Sequence, residues 1–267
     1  MIASTRWLVS DSLVFARRNI SHVRQIPEKL IDVTLQPLMF VLLFAYVFGN
    51  VIAVPGGSYR EYLIGGIIVQ TLMFGIVGPA TAIATDLTEG IVDRFRSLPA
   101  SRSAYLFGHL IAELAAAALG LAVLVLAGLI VGWRIESGPA DALAGFALLI
   151  LFASVILWLG TLVGLIVRSP DAAMGLIFVV IFPLTFLSSA FVPLAGLPGW
   201  LRTAAEFNPV STVAAATRTL FGNPTAVPAG APWSLLHPVP AAVAWCLGAL
   251  VIIVPLTIRR YRIRTAG

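Results

Sequence analysis

Apolar residues follow one another along this chain in long unbroken runs, without the strict alternation of a half-buried β-strand. Six runs contain about 20 residues or more, the length that an α-helix needs to cross the hydrocarbon core of a bilayer. They are residues 35–54, 62–85, 105–133, 142–167, 172–201 and 239–258. The pattern therefore predicts an all-α integral membrane protein with six transmembrane helices.

The composition excludes the other broad classes of protein. Hydrophobic residues make up 59% of the 267 positions and charged residues 11%, whereas a typical soluble domain is about 25% charged. A soluble fold of this size still exposes roughly a quarter of its unfolded surface, so it could not bury this much apolar side chain. Disorder requires low hydrophobicity and high charge, which is the opposite composition.

The basic residues predict the orientation of the six helices. Cytoplasmic loops carry an excess of Lys and Arg, and six crossings place 13 of the 17 basic residues on the side of the two termini. These are Arg6, Arg17, Arg18, Arg24, Lys29, Arg94, Arg96, Arg102, Arg168, Arg259, Arg260, Arg262 and Arg264. We expect both termini in the cytoplasm. The 16 arginines against one lysine, with abundant Ala, Gly, Val and Pro, also indicate a GC-rich genome.

A short amphipathic segment, residues 86–104, lies between the second and third runs on the predicted cytoplasmic side. Apolar residues at i, i+4 and i+7 from Ile91 share one helical face, and Pro99 ends the helix. Asp86 and Glu89 have the spacing of a capping box. The segment is either an interfacial loop whose arginines only satisfy the orientation rule, or a docking element for a cytoplasmic partner.

A second irregular segment, residues 193–237, precedes the last run. It is too apolar for a free loop and too often broken by proline for a helix that spans a bilayer. Backbone at membrane depth must satisfy its own hydrogen bonds, so we expect short helices that dip back toward the membrane, with Trp200 and Trp233 at the interface. The segment is either a structural cap or part of a gate.

The N-terminal stretch, residues 5–25, is predicted to be an interfacial helix. Trp7, Leu8 and Phe15 share one face, although Asp11 and Arg18 interrupt the apolar stripe. The helix either anchors the chain to the membrane or contacts a partner beneath it.

The chain lacks the motifs by which a protein itself binds ATP or a metal. Its one lysine, Lys29, does not end the glycine-rich loop of a Walker A motif. One cysteine and three distant histidines offer no metal site. We therefore expect no catalytic residue and no cofactor on this chain.

Ionisable side chains inside a span indicate function by default, and only His109 and Glu113 in the third run meet this condition. They are one helical turn apart and near the predicted cytoplasmic end of the helix. They form either an interfacial pair that sets the position of the helix, or part of a mechanical connection to residues 86–104.

Aromatic side chains in the spans are the remaining candidates. A phenylalanine stripe on the fifth run is typical of helix packing or lipid contact, but it would line the path of an amphiphile if the protein moves one. The candidate path residues are Phe40, Phe44, Phe74, Phe178, Phe182 and Phe186.

Two motifs carry a resemblance to a known family. Residues 90–99 (GIVDRFRSLP), with the positions that follow up to Gly108, resemble the signature of type-2 ABC exporter permeases, and are most similar to the daunorubicin-resistance (DrrB-like) permeases. Residues 197–200 (LPGW), residues 208–210 (NPV) and Arg218 resemble the region before the last span in the same family. The likeness covers nearly the whole chain, so residues 1–267 are interpreted as a single transmembrane domain.

The resemblance implies roles for the segments described above. Residues 86–104 would be the coupling helix, seated in a groove of a separate ATPase subunit, residues 1–29 would include the connecting helix, and residues 193–237 would be the outer re-entrant segment. The implied ATPase-coupling residues are Glu89, Gly90, Asp93, Arg94, Phe95, Arg96, Leu98 and Pro99. The implied gate residues are Pro193, Pro198, Trp200, Asn208 and Pro209. Two partner ATPase chains would bind ATP and Mg²⁺, and a second permease chain, identical or homologous, would complete the transporter in a bacterial plasma membrane.

Three functions are open at this point. The first is the permease subunit of an ATP-driven exporter of amphiphilic drugs, secondary metabolites or envelope lipids. The second is an ATP-independent secondary transporter or channel, although the spans lack the deep charges that ion coupling uses. The third is a membrane enzyme acting on lipids, which the scarcity of acids and nucleophiles in the spans argues against.

Overall fold

The computed structural model describes residues 35, 38–48, 52–89, 102–228 and 230–264. Over these residues the chain consists of helices and connecting loops, without a β-strand. The predicted helix at residues 5–25 lies outside the described residues. So do most of the predicted coupling residues, namely Gly90, Asp93, Arg94, Phe95, Arg96, Leu98 and Pro99.

The described helices follow the apolar runs closely. In chain order they are α1 (Leu38–Val47), α2 (Tyr59–Phe74), α3 (Val77–Thr88), α4 (Arg102–Val131), α5 (Pro139–Ile166), α6 (Pro170–Phe186), α7 (Gly199–Glu206), α8 (Pro209–Phe221), α9 (Trp233–Leu236) and α10 (Pro238–Arg264). In the described part of the chain, four of the six predicted spans are long and apolar enough to cross a bilayer. One is formed by α2 and α3 together, and the other three are α4, α5 and α10. The first and fifth runs correspond to the shorter apolar helices α1 and α6.

Helices α2 and α3 form one apolar rod, Tyr59–Thr88. Ser58 begins it with a capping box, because its side chain accepts from the backbone N–H of Glu61 while the Glu61 carboxylate accepts from the N–H of Ser58. The helix is interrupted at Gly75, four residues before Pro79. Proline has no N–H to bond the carbonyl of residue 75, and its ring crowds that carbonyl.

The far end of the rod differs from the predicted pattern. Asp86 lies within α3, and Glu89 is the exposed C-cap residue of that helix. The apolar helix of the second run continues through Asp86, so Asp86 and Glu89 do not cap the start of a new helix as their spacing predicted.

Helix α5 lies at the centre of the bundle, where it packs against α2, α3, α4, α6, α8 and α10. It approaches α3 closely at Gly160 and Gly164. A Cβ at these positions would lie 2.5 Å from the carbonyl oxygen of Ile76 and 2.6 Å from that of Ala80. This small-xxx-small spacing lets two backbones meet where a larger side chain would separate them.

Helix α8 is short but almost completely buried, since it packs against α2, α5, α7, α9 and α10. Asn208 caps its start by accepting from the N–H of Val210, and Pro209 occupies its first turn. Gly222 ends it with a φ of 74°, a left-handed conformation that favours glycine. Residues 193–237 therefore contribute a helix to the interior of the bundle and two short helices, α7 and α9, to its surface.

Candidate functional site

A non-helical stretch lies inside the bundle after α6. Residues 188–191, which we call the buried turn, are each at most 4% exposed. Backbone groups without helical partners are costly when they are removed from water, so their hydrogen bonds must come from elsewhere in the fold. The side chains that supply these bonds define the candidate site.

Arg218 is the main donor to the buried turn. Its Nη2 donates to the carbonyl oxygens of Ser189 and Ala190, at 2.9 Å each, and its Nε donates to the carbonyl of Tyr62 in α2 at 2.8 Å. The side chain is 0% exposed. One guanidinium therefore joins three elements: α8, the buried turn and α2.

Two tyrosines at the start of α2 complete the contact. The hydroxyl of Tyr62 donates to the carbonyl of Ser189 at 2.6 Å, and that of Tyr59 donates to the carbonyl of Phe191 at 3.0 Å. The guanidinium carbon of Arg218 lies 3.6 Å from the centroid of the Tyr62 ring, in a cation–π contact. Carbonyls of the buried turn thus accept bonds from α2 and from α8.

The start of α8 supplies the remaining bonds. Asn208 Nδ2 donates to the carbonyls of Leu184 and Leu187, at 2.7 and 2.8 Å, where α6 ends. Ser211 Oγ accepts from the backbone N–H of Ser189 at 2.9 Å. The backbone from the end of α6 through the buried turn is thereby connected to α8 at several points.

The charge of Arg218 is balanced by dipoles. Its hydrogen-bond partners among the described residues are carbonyl oxygens, and its Nη1 has none there. Burial lowers the pKa of the Arg218 guanidinium, while the neighbouring Tyr62 acts in the opposite direction. A guanidinium remains protonated in proteins, so the site contains a buried positive charge that water does not reach.

Four of the six predicted path residues meet at the buried turn, around a phenylalanine that the sequence pattern missed. The ring of Phe191 stacks on Phe44 and Phe186 with centroids 4.9 and 5.1 Å apart, and Phe40 is 6.4 Å away. Phe182 stacks on Phe186 at 4.3 Å. We call these five residues the aromatic cluster. It contains one buried ring, Phe191, and two rings of α6 that are 40 to 48% exposed.

The other two predicted path residues form a separate contact. Phe74 of α2 and Phe178 of α6 lie with ring centroids 6.2 Å apart. The two helices that carry them, α2 and α6, also adjoin the buried turn. Among the described ring contacts, neither ring contacts Phe191.

The five predicted gate residues divide between the buried turn and the surface. Asn208 and Pro209 lie at the start of α8, and the bonds of Asn208 reach the end of α6. Pro193 and Pro198 occupy the caps of the 3₁₀ turn Leu194–Gly196 and of α7. Trp200 is 75% exposed on α7.

His109 and Glu113 both lie in α4, where His109 is buried and Glu113 is partly buried. The Glu113 carboxylate faces α3, since a Cβ at Gly78 would be 2.9 Å from its Oε2. The predicted pair between His109 and Glu113 stays a prediction, as does the role of either residue.

The sequence is similar to a known family of membrane proteins and to several of its members. The family model described as ABC-2 type transporter matches residues 12–221. The chain is 31% identical to the daunorubicin resistance ABC transporter permease protein DrrB1 of Streptomyces coeruleorubidus, over 97% of this chain and 88% of that protein. It is 25% identical to the probable doxorubicin resistance ABC transporter permease protein DrrC of Mycobacterium tuberculosis, over 98% of this chain and 92% of that protein. It is also 26% identical to the putative transport permease ycf38 of Porphyra purpurea, over 81% of this chain and 75% of that protein.

Proposed function

The chain belongs to the ABC-2 type transporter family, and we propose that it is the permease subunit of an ATP-driven exporter. Its cargo would be amphiphilic drugs, secondary metabolites or envelope lipids, taken from the cytoplasm or the inner leaflet. The observation that carries the proposal is the family match over residues 12–221, which contains the predicted coupling helix, the buried turn and α8. A relative that aligns with 97% of the chain is named for daunorubicin resistance.

The proposed topology has six spans, with α1 and α6 as the first and fifth crossings. Helix α6 has 17 residues, a rise of about 25 Å at 1.5 Å per residue, so loop backbone and flanking segments would complete its crossing. Both termini and residues 86–104 would face the cytoplasm, because that arrangement places 13 of 17 basic residues there. The buried turn would then lie toward the outer side.

The proposed partners are two ABC ATPase chains and a second permease chain. ATP and Mg²⁺ would be bound by the ATPases. The chain's relatives include proteins named DrrB and DrrC, both from Mycobacterium tuberculosis, which is compatible with an identical or a homologous second permease. Apolar surface is available for that chain and for lipid, since Phe178, Val179 and Phe182 on α6 are 47, 74 and 48% exposed.

Coupling would act through residues 86–104. Arg94 and Arg96 would pair with carboxylates on the ATPase, and Phe95 would fill a pocket there, an anchored aromatic surrounded by charge. ATP binding would close the ATPase pair and displace the coupling helices, which would turn a cavity between two permeases from inward-facing to outward-facing. Nucleotide and cargo shift this equilibrium only as far as they bind the two states differently.

The aromatic cluster would be the part of the cargo path nearest the outer side. Flat, apolar faces suit polycyclic drugs and acyl chains alike. The buried turn and α8 would separate this path from the outer solution until the transporter opens.

Transport by inverted membrane vesicles tests the proposal. Vesicles would contain this chain together with the ABC ATPase of the same genome, and daunorubicin or a fluorescent phospholipid would serve as the probe. We expect accumulation that requires ATP and survives a protonophore. Accumulation driven by a proton gradient without ATP, or no accumulation of either probe by an assembled complex that hydrolyses ATP, would contradict it.

A further inference from the structure

Arg218 and Tyr62 hold the buried turn in place entirely through its backbone. Three bonds of the pair, two from Arg218 and one from Tyr62, end on the carbonyls of Ser189 and Ala190. The backbone of the turn also packs directly on α2 at Gly66, where any Cβ would overlap the carbonyl of Ala190. These bonds do not depend on the side chains of the turn, and removal of the guanidinium would leave the carbonyl of Ala190 without its bond and the carbonyl of Ser189 with the Tyr62 hydroxyl as its donor.

The same contact carries an energetic cost. A fully buried cation gains from its bonds but loses its hydration, and the described partners of Arg218 include no carboxylate to offset that loss. Its Nη1 adds a buried donor without a partner. If the turn moved away from α2, water could reach both the guanidinium and the freed carbonyls. The free-energy difference between the closed turn and an open, hydrated turn is therefore reduced, as is expected of a segment that moves during the transport cycle.

The rod formed by α2 and α3 connects this contact with the predicted coupling helix. Tyr59 and Tyr62 lie in the first turn of the rod Tyr59–Thr88, and Glu89 at its other end directly precedes residues 90–101. Helix α3 packs closely on α5 at Gly160 and Gly164. The interruption at Gly75 lies between that contact and α2, so a displacement of α3 at its coupling end can change the angle at which α2 meets the buried turn.

We propose that Arg218 and Tyr62 are a latch that keeps the buried turn closed, and that displacement of the rod at its coupling end releases it. This inference rests on the proposed function, because it assigns the residues that position the outer gate of the same transporter. Arg218 acts here as a positioning residue, since it contacts the gate backbone rather than cargo.

Cysteine accessibility in the assembled transporter tests the latch. The native Cys246 is buried in α10 and would be replaced (Cys246→Ala), and Ser189→Cys would place a thiol in the buried turn. A membrane-impermeant maleimide added from the outer side reports exposure of that thiol. The complex with its ATPase would be compared without nucleotide and during ATP hydrolysis, in parallel with ATPase activity and daunorubicin transport.

In the chain that carries only Cys246→Ala and Ser189→Cys, we expect slow labelling without nucleotide and fast labelling during ATP hydrolysis. Arg218→Met should raise the rate without nucleotide by at least about tenfold, because each hydrogen bond from a charged donor contributes that much or more. It should also lower the daunorubicin moved per ATP hydrolysed. Arg218→Lys and Tyr62→Phe should give intermediate rates, since each retains part of the contact. Arg202→Met, which removes an arginine from the surface helix α7, is the matched control and should leave labelling unchanged.

The outcomes separate the latch from the function it rests on. Labelling that stays slow without nucleotide in Arg218→Met, with an assembled complex, would overturn the latch even if transport is normal. If Arg218→Met does not reach the membrane, Tyr62→Phe decides, because it removes only the hydroxyl bond to Ser189. Failure of the unmodified transporter to move any probe would instead contradict the exporter itself.

Discussion

Gly66 of α2 lies directly against the carbonyl of Ala190, so that a Cβ at position 66 would overlap this carbonyl and the atoms beside it. Backbone of the buried turn thus packs on backbone of α2, at the level where Arg218 and Tyr62 form their bonds. This contact makes glycine a requirement at position 66 for packing rather than for backbone conformation.

Gly66→Ala should destabilise the protein by about 1–3 kcal/mol, the usual cost of an overpacked interior. Gly175→Ala is the matched control, because position 175 faces open space on α6. There alanine should be neutral or stabilise by up to about 1 kcal/mol, since it forms helix better than glycine. The midpoint of thermal unfolding in detergent would measure both. Equal shifts for the two variants would contradict the contact.

A second prediction concerns the connection between the loops after α4 and α8. Trp133 is fully buried and its Nε1 donates to Asn223 Oδ1 at 2.7 Å, while Asn223 Nδ2 donates to the carbonyl of Arg134. Trp133→Phe should cost about 1–3 kcal/mol from the unsatisfied amide oxygen alone. Trp200→Phe, on a side chain that is 75% exposed, should change stability by less than about 0.5 kcal/mol. Thermal unfolding distinguishes them, and no difference between the two would show that the hydrogen bond is absent.

The aromatic cluster leads to a prediction about cargo. Phe182 stacks on Phe186 and is 48% exposed, so its ring is available to a bound molecule. Phe182→Ala should raise the KM for daunorubicin severalfold while the basal ATPase rate of the complex stays the same, because the ring would bind cargo and not nucleotide. Phe207→Ala, on the surface between α7 and α8, is the control. An unchanged KM in Phe182→Ala would remove this ring from the path.

Much of the fold follows from the sequence because long apolar runs predict helices with little ambiguity. The four long spans are of this kind, and the prolines within residues 193–237 predicted the short helices found there. The end of the fifth run is harder to predict, because apolar residues continue past Phe186, where α6 ends. Hydrophobicity alone does not register that residues 188–191 leave the helix and remain buried.

The candidate site could be predicted only in part, because its contacts join distant positions. Arg218 bonds Tyr62 across 156 residues and Ser189 across 29. Arg218 carried a signal, as a lone arginine in a segment rich in Ala, Thr and Val. Tyr59 and Tyr62 carried none that separates them from other tyrosines. Phe191 does not belong to the phenylalanine stripe of the fifth run, because it lies in a turn beyond the end of α6.

The proposed exporter depends on the contact between the predicted coupling helix and the ATPase. A double variant that reverses the charge of this helix tests that contact. Phe95→Asp with Arg94→Glu removes the predicted aromatic anchor and inverts a predicted ion pair. Ile263→Asp with Arg260→Glu makes the same change in charge at the end of α10, where both side chains are exposed, and serves as the matched control. Both variants should insert into the membrane as the unmodified chain does.

The most direct measurement is ATP-dependent daunorubicin accumulation in inverted vesicles, made together with co-purification of the ATPase. We expect the coupling variant to lose both accumulation and the associated ATPase, and the control variant to retain both. Normal transport with a bound ATPase in the Phe95→Asp, Arg94→Glu variant would contradict the assignment of residues 86–104 as the coupling helix.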